Sequence, residues 1–316
     1  MITINLSEEN LLKPLDAARP GCWIHMTNPV DNEVEVVSRA TGIPETMLKV
    51  ALDEEESAHT DFEDGNTMIV VDIPFIDEEQ DQYVYSTVPF GIVYNQDYFV
   101  TVCLKDTSLV YDFFNERVKN VNTKSHQMLM LQLLYRNATK FLQHLKQIDK
   151  TSHRVQAELH KSMKNKELIL LLELEKSLVY FSTSLRSNEV VIEKVMRFED
   201  VRGREELINY AEDLVVENKQ ANEMCNIYRD ILSGTMDAFA SIISNNVNIV
   251  MKLLTIITIV LSIPTLVFSL WGMNVKLPFG EGSPLYDVGF ILVLALTVVL
   301  TVTVAYVLVR RTRRLK

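Results

Sequence analysis

The sequence has few cysteines and no recognisable catalytic motif. Cys22, Cys103 and Cys225 are far apart and lack a metal-ligand spacing, so we expect reduced core residues rather than disulfides or a zinc site. The six histidines form no His-Glu-x-x-His arrangement, and neither a glycine-rich phosphate loop nor a serine or cysteine nucleophile motif is present. These absences argue against a metallohydrolase, a nucleotide-dependent enzyme and a covalent hydrolase.

Long apolar runs are missing from the first 248 residues and then occur twice, at residues 249–271 and 288–309. Each run is long enough for a helix to cross a bilayer, which takes roughly 20 apolar residues. Residues 1–10 have neither a basic start nor an apolar run, so we expect no signal peptide there. The pattern predicts a multi-pass protein of the cell (inner or plasma) membrane with a large cytoplasmic portion before the first span.

Negative charge dominates the chain except at its end. Five of the last seven residues are basic, namely Arg310, Arg311, Arg313, Arg314 and Lys316. The positive-inside rule assigns this tail, and with it both termini, to the cytoplasm. Without the tail, 26 basic residues stand against 42 acidic ones, so residues 1–309 carry a net charge of −16. Such an acidic body argues against nucleic acid as a partner.

Residues 1–122 mix strand and helix patterns, which predicts a cytoplasmic α/β domain. β-Branched and aromatic residues indicate strands at residues 21–27, 67–75, 83–94 and 98–104. Helices are expected at residues 31–40 and 44–52. The acidic stretch 53–64 is expected to be a solvated loop.

The remainder of the chain is predicted to be helical. Residues 123–160 and 163–199 contain neither proline nor glycine, so we expect long antiparallel helices over 123–203. Residues 204–271 are predicted to form one long stalk helix whose end is the first transmembrane helix, 249–271. An external loop, 272–287, a second transmembrane helix, 288–309, and the basic tail, 310–316, follow. The predicted fold class is an α+β membrane protein.

A regular polar pattern runs through the first apolar segment. Thr255, Thr258, Ser262, Thr265 and Ser269 follow one another in steps of three, four, three and four, which puts them on one helix face. We call this face the polar seam. The same rhythm continues backwards through Met251, Asn248, Ser244, Ser241 and Asp237.

The polar seam has two possible explanations. Small polar residues let membrane helices pack closely and hydrogen-bond to each other. Alternatively, the seam faces a water-filled pore. Two helices per chain cannot enclose a pore, so this second explanation requires several copies around one axis, with residues 288–309 as an outer ring against lipid.

The polar seam ends at the motif Gly272-Met273-Asn274. Amides of Asn274 repeated around an axis would offer neutral oxygens that hydrogen-bond to hydrated Mg²⁺ without stripping its water. The motif, between an apolar helix and a second one near the C-terminus, resembles the signature of the CorA-type magnesium transporter family. Residues 248–255, 263–265 and 170–178 also look similar to segments of that family. Trp271 is a departure, because the family usually has tyrosine there.

The resemblance implies a funnel-shaped homopentamer that carries Mg²⁺ down its electrochemical gradient, with Co²⁺ and Ni²⁺ as hydrated mimics. It assigns ion selection to Gly272, Met273 and Asn274. It assigns the pore wall to Asn248, Met251, Thr255, Thr258, Ser262, Thr265 and Ser269. It also implies cytoplasmic regulatory Mg²⁺ sites between subunits, for which Asp237 and Asp77 are the matching positions. Mg²⁺ would then be both substrate and regulator, and no nucleotide is expected.

Two other functions are compatible with parts of the sequence. A related transporter could carry Zn²⁺ or another transition ion, although the intact Met273 favours the magnesium branch. A membrane-tethered enzyme or sensor would use its two apolar helices only as an anchor. The absence of catalytic motifs argues against that class.

Overall fold

The computed structural model describes residues 1–8, 11–79, 82–162, 165–273 and 286–313. The chain forms two compact units, Met1–Met236 and Asp237–Lys316. The boundary lies inside a helix that the sequence predicted to be continuous. The six segments predicted from the sequence are finer than these two units, and as domain boundaries they stay predictions.

A seven-stranded mixed sheet lies at the centre of the first unit. Its strands are β1 (Ile2–Glu8), β2 (Leu11–Pro14), β3 (Trp23–Thr27), β4 (His59–Glu63), β5 (Asn66–Glu79), β6 (Gln82–Tyr94) and β7 (Phe99–Cys103). Their order is β2-β1-β3-β7-β6-β5-β4. Only β3 and β7 pair in parallel among the described strands, and the other neighbours are antiparallel.

The four predicted strands are confirmed, but three others were missed. The expectation of a solvated loop over residues 53–64 is wrong, because residues 59–63 form β4 at the edge of the sheet. Asp61, Phe62 and Glu63 of this strand are exposed, so no apolar alternation marks it, and charge on an edge strand discourages pairing with other chains. In β1, by contrast, Ile2, Ile4 and Leu6 alternate with polar residues, a signal that could have found it.

The central strands bury side chains on both faces of the sheet. Trp23 and Phe99 enter one apolar cluster, whereas their neighbours Ile24 and Val100 enter the other, as the two-residue period of a strand requires. The second cluster is closed by α1 (Asp31–Thr41) and α2 (Glu45–Lys49), after which a 3₁₀ turn spans Val50–Leu52. The helices predicted at residues 31–40 and 44–52 are thereby confirmed.

Long helices cover the first face. The described helices after β7 are α3 (Ser108–Phe114), α4 (His126–Ser162), α5 (Asn165–Val195), α6 (Glu199–Arg202), α7 (Glu205–Trp271) and α8 (Tyr286–Arg313). The predicted long pair is confirmed as α4 and α5, whose Phe141 and Phe181 rings meet edge to face at 5.1 Å. Asn218 of α7 donates to the carbonyl oxygen of Leu185 in α5 at 3.2 Å.

An amide bracket joins α5 to the sheet. Strand β4 stops pairing with β5 at Val70, which leaves the backbone of Asp72 without a strand partner on that side. Asn188 fills the gap, since its Oδ1 accepts from the Asp72 backbone N–H at 2.9 Å and its Nδ2 donates to the Asp72 carbonyl oxygen at 2.8 Å. Asn137 of α4 donates to the same oxygen at 2.8 Å. Both long helices are therefore tied to one residue of the sheet.

The cysteines and His25 are core residues. Cys22, Cys103 and Cys225 are free thiols and are buried, as predicted. His25 is 5% exposed and contacts Thr101 Oγ1 through Nδ1 at 2.9 Å. Burial disfavours the charged imidazole and lowers the pKa of His25 to about 4. A neutral, satisfied histidine of this kind is structural.

Candidate functional site

Two helices of the structure are long and apolar enough to cross a membrane. The end of α7 has a mean hydropathy of 2.4 in its most apolar stretch, and Ile291–Arg311 within α8 reaches 2.7. None of the first stretch and only 6% of the second is buried within the chain. The two predicted apolar helices are therefore confirmed, and their side chains lack a protein interior to enter.

Helix α7 continues without a break through Gly234 and Pro264. Proline has no N–H, so the carbonyl oxygen of Val260 loses its usual helical donor. One residue further on, the Thr265 hydroxyl donates to the carbonyl oxygen of Leu261 at 2.9 Å. The helix thus carries the whole predicted pore-lining set on one continuous element. These residues are Asn248, Met251, Thr255, Thr258, Ser262, Thr265 and Ser269, and all are exposed in the single chain.

The covered side of α7 lies opposite the polar seam. From residue 256 onwards, the partly buried residues of α7 include Ile256, Val260, Ile263, Val267 and Trp271. At about 100° per residue, these positions lie roughly half a turn away from the polar seam. Within a single chain, therefore, the polar seam is not the face through which α7 packs.

Helix α8 has one covered stripe of its own. Its buried or partly buried residues include Val293, Thr297, Thr301, Val304 and Leu308, which share one face. We infer that this stripe and the covered side of α7 pack against each other within the second unit. Thr297 and Thr301 then contribute to helix packing, whereas the threonines of the polar seam stay uncovered.

The hydroxyl groups of the polar seam donate their protons to their own helix. Thr255, Thr258 and Ser262 donate to the carbonyl oxygens four residues earlier, at 2.8, 2.9 and 2.7 Å. Each hydroxyl oxygen therefore presents lone pairs outwards. The outer surface of a hydrated cation consists of water hydrogens, which need acceptors of this kind. The threonines of α8 make the same bonds, so position and not bonding sets the polar seam apart.

Helix α7 ends at the predicted signature. The Gly272 N–H donates to the carbonyl oxygen of Phe268 at 2.9 Å, and that of Met273 to Leu270 at 3.3 Å. A Cβ atom on Gly272 would lie 3.2 Å from the Phe268 oxygen, so a larger residue would push against the last turn. Asn274 lies outside the described residues, as do Arg314 and Lys316 of the basic tail. Arg310, Arg311 and Arg313 belong to the last turn of α8.

The two acidic residues predicted to bind regulatory Mg²⁺ belong to different units. Asp77 lies opposite Val84 in the ladder between β5 and β6, and its side chain is exposed. Asp237 lies on α7 and is also exposed. Within the described ranges, no group of three or more histidine, cysteine, aspartate or glutamate side chains could hold a metal ion. A site built between two copies remains a prediction.

Known proteins resemble the chain over nearly all of its length. The family model for CorA-like Mg²⁺ transporter proteins matches residues 20–313. The cobalt/magnesium transport protein CorA of Methanocaldococcus jannaschii is 26% identical over 303 aligned residues, which cover 90% of this chain and 89% of that protein. The protein of the same name from Thermotoga maritima is 23% identical over 271 residues, 84% of this chain and 76% of that protein.

The fold is shared with a solved full-length structure. The complete structure of the CorA magnesium transporter from Methanocaldococcus jannaschii matches with a TM-score of 0.82 at 23% identity, over 97% of this chain and 96% of that one. In the present chain the sheet, the long helices and the two C-terminal apolar helices follow one another in this order. Because the family model spans both units, the chain belongs to the family of CorA-like Mg²⁺ transporter proteins, and it is a membrane transporter of divalent cations rather than an enzyme.

Proposed function

We propose that this chain is one subunit of a homopentameric channel that conducts hydrated Mg²⁺, with Co²⁺ and Ni²⁺ as hydrated mimics. The observation that carries the proposal is the position of the polar seam on the uncovered side of α7, opposite the covered side of the same helix. In the pentamer, five copies of α7 surround the axis with their polar seams inwards. The five α8 helices form the outer ring against lipid.

The wall of this pore attracts cations without holding them. Its hydroxyl oxygens accept hydrogen bonds from the water shell of the ion, and the polar seam itself carries no fixed charge that would trap a dication. Near the cytoplasmic end, Met251 forms a ring of apolar side chains that closes the pore by dewetting when it narrows. Asn248 supplies amide groups one turn earlier on the same face.

Ion selection belongs to the motif at the external end. The amides of Asn274 form a ring of neutral oxygens at the pore mouth, and Gly272 and Met273 shape the turn that presents them. Mg²⁺ keeps its water because its dehydration is costly, so a ring that binds the hydrated ion is sufficient for selection.

Cytoplasmic Mg²⁺ regulates the channel in this proposal. Ions that bridge Asp77 and Asp237 between neighbouring subunits offset the repulsion among bodies with a net charge of −16 over residues 1–309. When these ions are lost, repulsion between the cytoplasmic parts of neighbouring subunits moves the subunits apart and opens the pore. In this proposal both termini and the basic tail lie in the cytoplasm. An inside-negative membrane potential then drives cation entry, with a free energy of about 2.3 kcal/mol per charge per 100 mV and twice that for a dication.

Ion flux into liposomes tests transport and selectivity together. The purified chain should admit Mg²⁺ when an inside-negative potential is imposed, and Asn274→Ala should abolish this flux. Asn115→Ala, which removes an exposed amide in the first unit, is the matched control and should conduct normally. Competition with Co²⁺ and Zn²⁺ separates the magnesium channel from the zinc alternative. If the wild-type chain transported Zn²⁺ faster than Mg²⁺, the proposal that Mg²⁺ is the conducted ion would be wrong.

Gating is tested by current recordings at varied internal Mg²⁺. Asp237→Ala should remain active at internal Mg²⁺ concentrations that silence the wild type, because one ligand of the proposed bridge is lost. Asp61→Ala, which removes an exposed carboxylate from the edge strand β4, serves as control. If inhibition of Asp237→Ala were unchanged, this residue would have no part in regulation.

A further inference from the structure

A partly enclosed cavity of about 370 Å³ lies in the first unit, far along the sequence from the polar seam. Its walls come from the loop after α3, the first turns of α4 and the first turns of α7. Residues that matter for its chemistry are Arg117, Lys119, Gln132, Arg136, Glu206 and Tyr210. No phosphate-binding motif marks it in the sequence, because its residues come from separate elements.

A buried carboxylate beside the cavity holds three cations together. The side chain of Asp112 is 2% exposed and accepts hydrogen bonds from Arg117 Nη1 at 3.0 Å and Arg136 Nε at 2.9 Å. Lys140 of α4 contacts the same carboxylate. Burial by itself raises the pKa of Asp112, but the hydrogen bonds from Lys140 and Arg136 outweigh it and hold the pKa below its usual value. Asp112 is therefore ionised and shared among three cations.

Cationic donors at this cavity are not all used by carboxylates. Lys119 has no carboxylate partner in the described part of the chain. Arg117 donates to Asp112 through Nη1 only, and its side chain is 66% exposed, so its other N–H groups are left for a further acceptor. Glu206 in the wall, together with Asp213 and Glu217, which act on the wall tyrosines, balances the charge of the nearby cations. The unused donors, and not an excess of positive charge, favour an anionic ligand.

The remaining wall suits a ligand with an organic part. Gln132 is 6% exposed, and its Oε1 has no hydrogen-bond partner, whereas its Nε2 lies 3.4 Å from the Asn120 carbonyl oxygen. Tyr135 and Tyr210 meet edge to face at 5.6 Å and offer aromatic surface. Orphaned buried amides are uncommon in folded proteins. An amide, two aromatic rings and guanidinium groups in one concavity are typical of a binding site for a small molecule.

We propose that this cavity binds the phosphate group of a small molecule. Arginine guanidinium groups match phosphate oxygens with paired donors, and Lys119 adds a mobile point charge at the rim. Free inorganic phosphate and a phosphate monoester share this chemistry. The tyrosine rings and the Glu206 carboxylate, which accepts from hydroxyl groups, favour the monoester of a hydroxylated, ring-containing molecule.

Calorimetric titration of the purified full-length chain in detergent tests the proposal, with AMP, inorganic phosphate and adenosine as probes. Free Mg²⁺ is held constant, because phosphate compounds chelate it. AMP should bind saturably, with a dissociation constant of about 1 mM or lower. Adenosine should not bind. Inorganic phosphate that binds as tightly as AMP would identify the free ion as the ligand of the same site.

Charge reversal at the rim supplies the matched variants. Lys119→Glu should weaken AMP binding about tenfold or more, because it replaces a charge-assisted contact by repulsion. Lys146→Glu makes the same change at an exposed lysine of α4 outside the cavity and should bind like the wild type. Arg117→Gln, at a side chain that is 66% exposed, is a second rim variant and should also weaken binding. Absence of wild-type binding to both phosphate probes, or equal binding by Lys119→Glu and Lys146→Glu, would overturn the proposal.

Discussion

The two units of the chain treat their apolar side chains in opposite ways. In Met1–Met236, large side chains such as Trp23, Phe90 and Phe181 are completely buried. In Asp237–Lys316, Leu261 and Leu266 are 63% and 68% exposed. The first unit buries its large apolar side chains within the chain, whereas the exposed apolar surface of the second unit suits a lipid environment.

The polar residues of the two units differ in the same way. Many buried polar groups in the first unit are bonded to defined partners, as in the Asn188–Asp72 bracket, and the Gln132 amide oxygen is an exception. The hydroxyl groups of the polar seam donate their protons to carbonyl oxygens of α7, but their oxygen lone pairs have no partner within that helix and point outwards. Substitutions in the first unit should therefore change the free energy of unfolding, and substitutions in the polar seam should change ion flux.

The largest expected effect is on flux, from Thr258→Leu in the polar seam. In the proposed pentamer, five leucines in place of five hydroxyl groups would make a dry ring in the pore, so Mg²⁺ flux should be almost abolished while the melting temperature changes little. Thr303→Leu on α8 is the matched control, because Thr303 is also exposed and bonded to its own helix. Equal flux through the two variants would contradict the proposal that the polar seam faces a water-filled pore.

The next largest effect is expected on the stability of the first unit, from Asp112→Asn. This change leaves Arg117, Arg136 and Lys140 clustered without their shared counter-charge, which should cost about 3 kcal/mol of unfolding free energy. Thermal unfolding followed by circular dichroism measures the loss. Asp61→Asn, at an exposed edge position, should lower the melting temperature far less. A comparable loss in both variants would show that the cluster contributes nothing special.

A pH effect of similar or smaller size is expected from His25. The folded-state pKa of about 4 lies below the ordinary value of 6.5, so the unfolded chain binds an additional proton between these values. The contribution of His25 to the free energy of unfolding is fully present above pH 6.5. It is lost as the pH drops towards 4, by about 3 kcal/mol in total. His25→Gln should flatten this part of the pH profile, whereas His153→Gln, at an exposed side chain, should leave it intact. An unchanged slope in His25→Gln would assign the pH dependence to other groups.

The smallest of the four effects is expected from Gly91→Ala in β6. A Cβ atom there would lie 2.9 Å from the Cβ atom of Ala51, which is too close. Overpacking of this kind costs about 1–3 kcal/mol. The double variant Gly91→Ala with Ala51→Gly should recover most of the loss in chemical denaturation. Failure of this rescue would place the strain elsewhere, and flux in liposomes should be unaffected throughout.

The features that were predicted from the sequence all have a strong periodic signal, although β1, whose apolar residues also alternate, was missed. The four buried strands, the long helices without proline or glycine and the three-four rhythm of the polar seam all reflect regular burial or exposure. Strand β4 was missed because its exposed, acidic residues show no alternation. The cluster around Asp112 was missed for another reason: Arg136 and Lys140 lie 24 and 28 residues further along the chain, and only the fold brings them together.

Cysteine accessibility tests the central claim most directly. The native cysteines are buried, so single cysteines can be introduced at Thr258, Ser262 and Thr265 and compared with Val260, Ile263 and Val267 on the covered side. In open channels in liposomes, water-soluble thiol reagents should modify the first three positions rapidly and the second three hardly at all. Rapid modification of the covered side with protection of the polar seam would contradict the account.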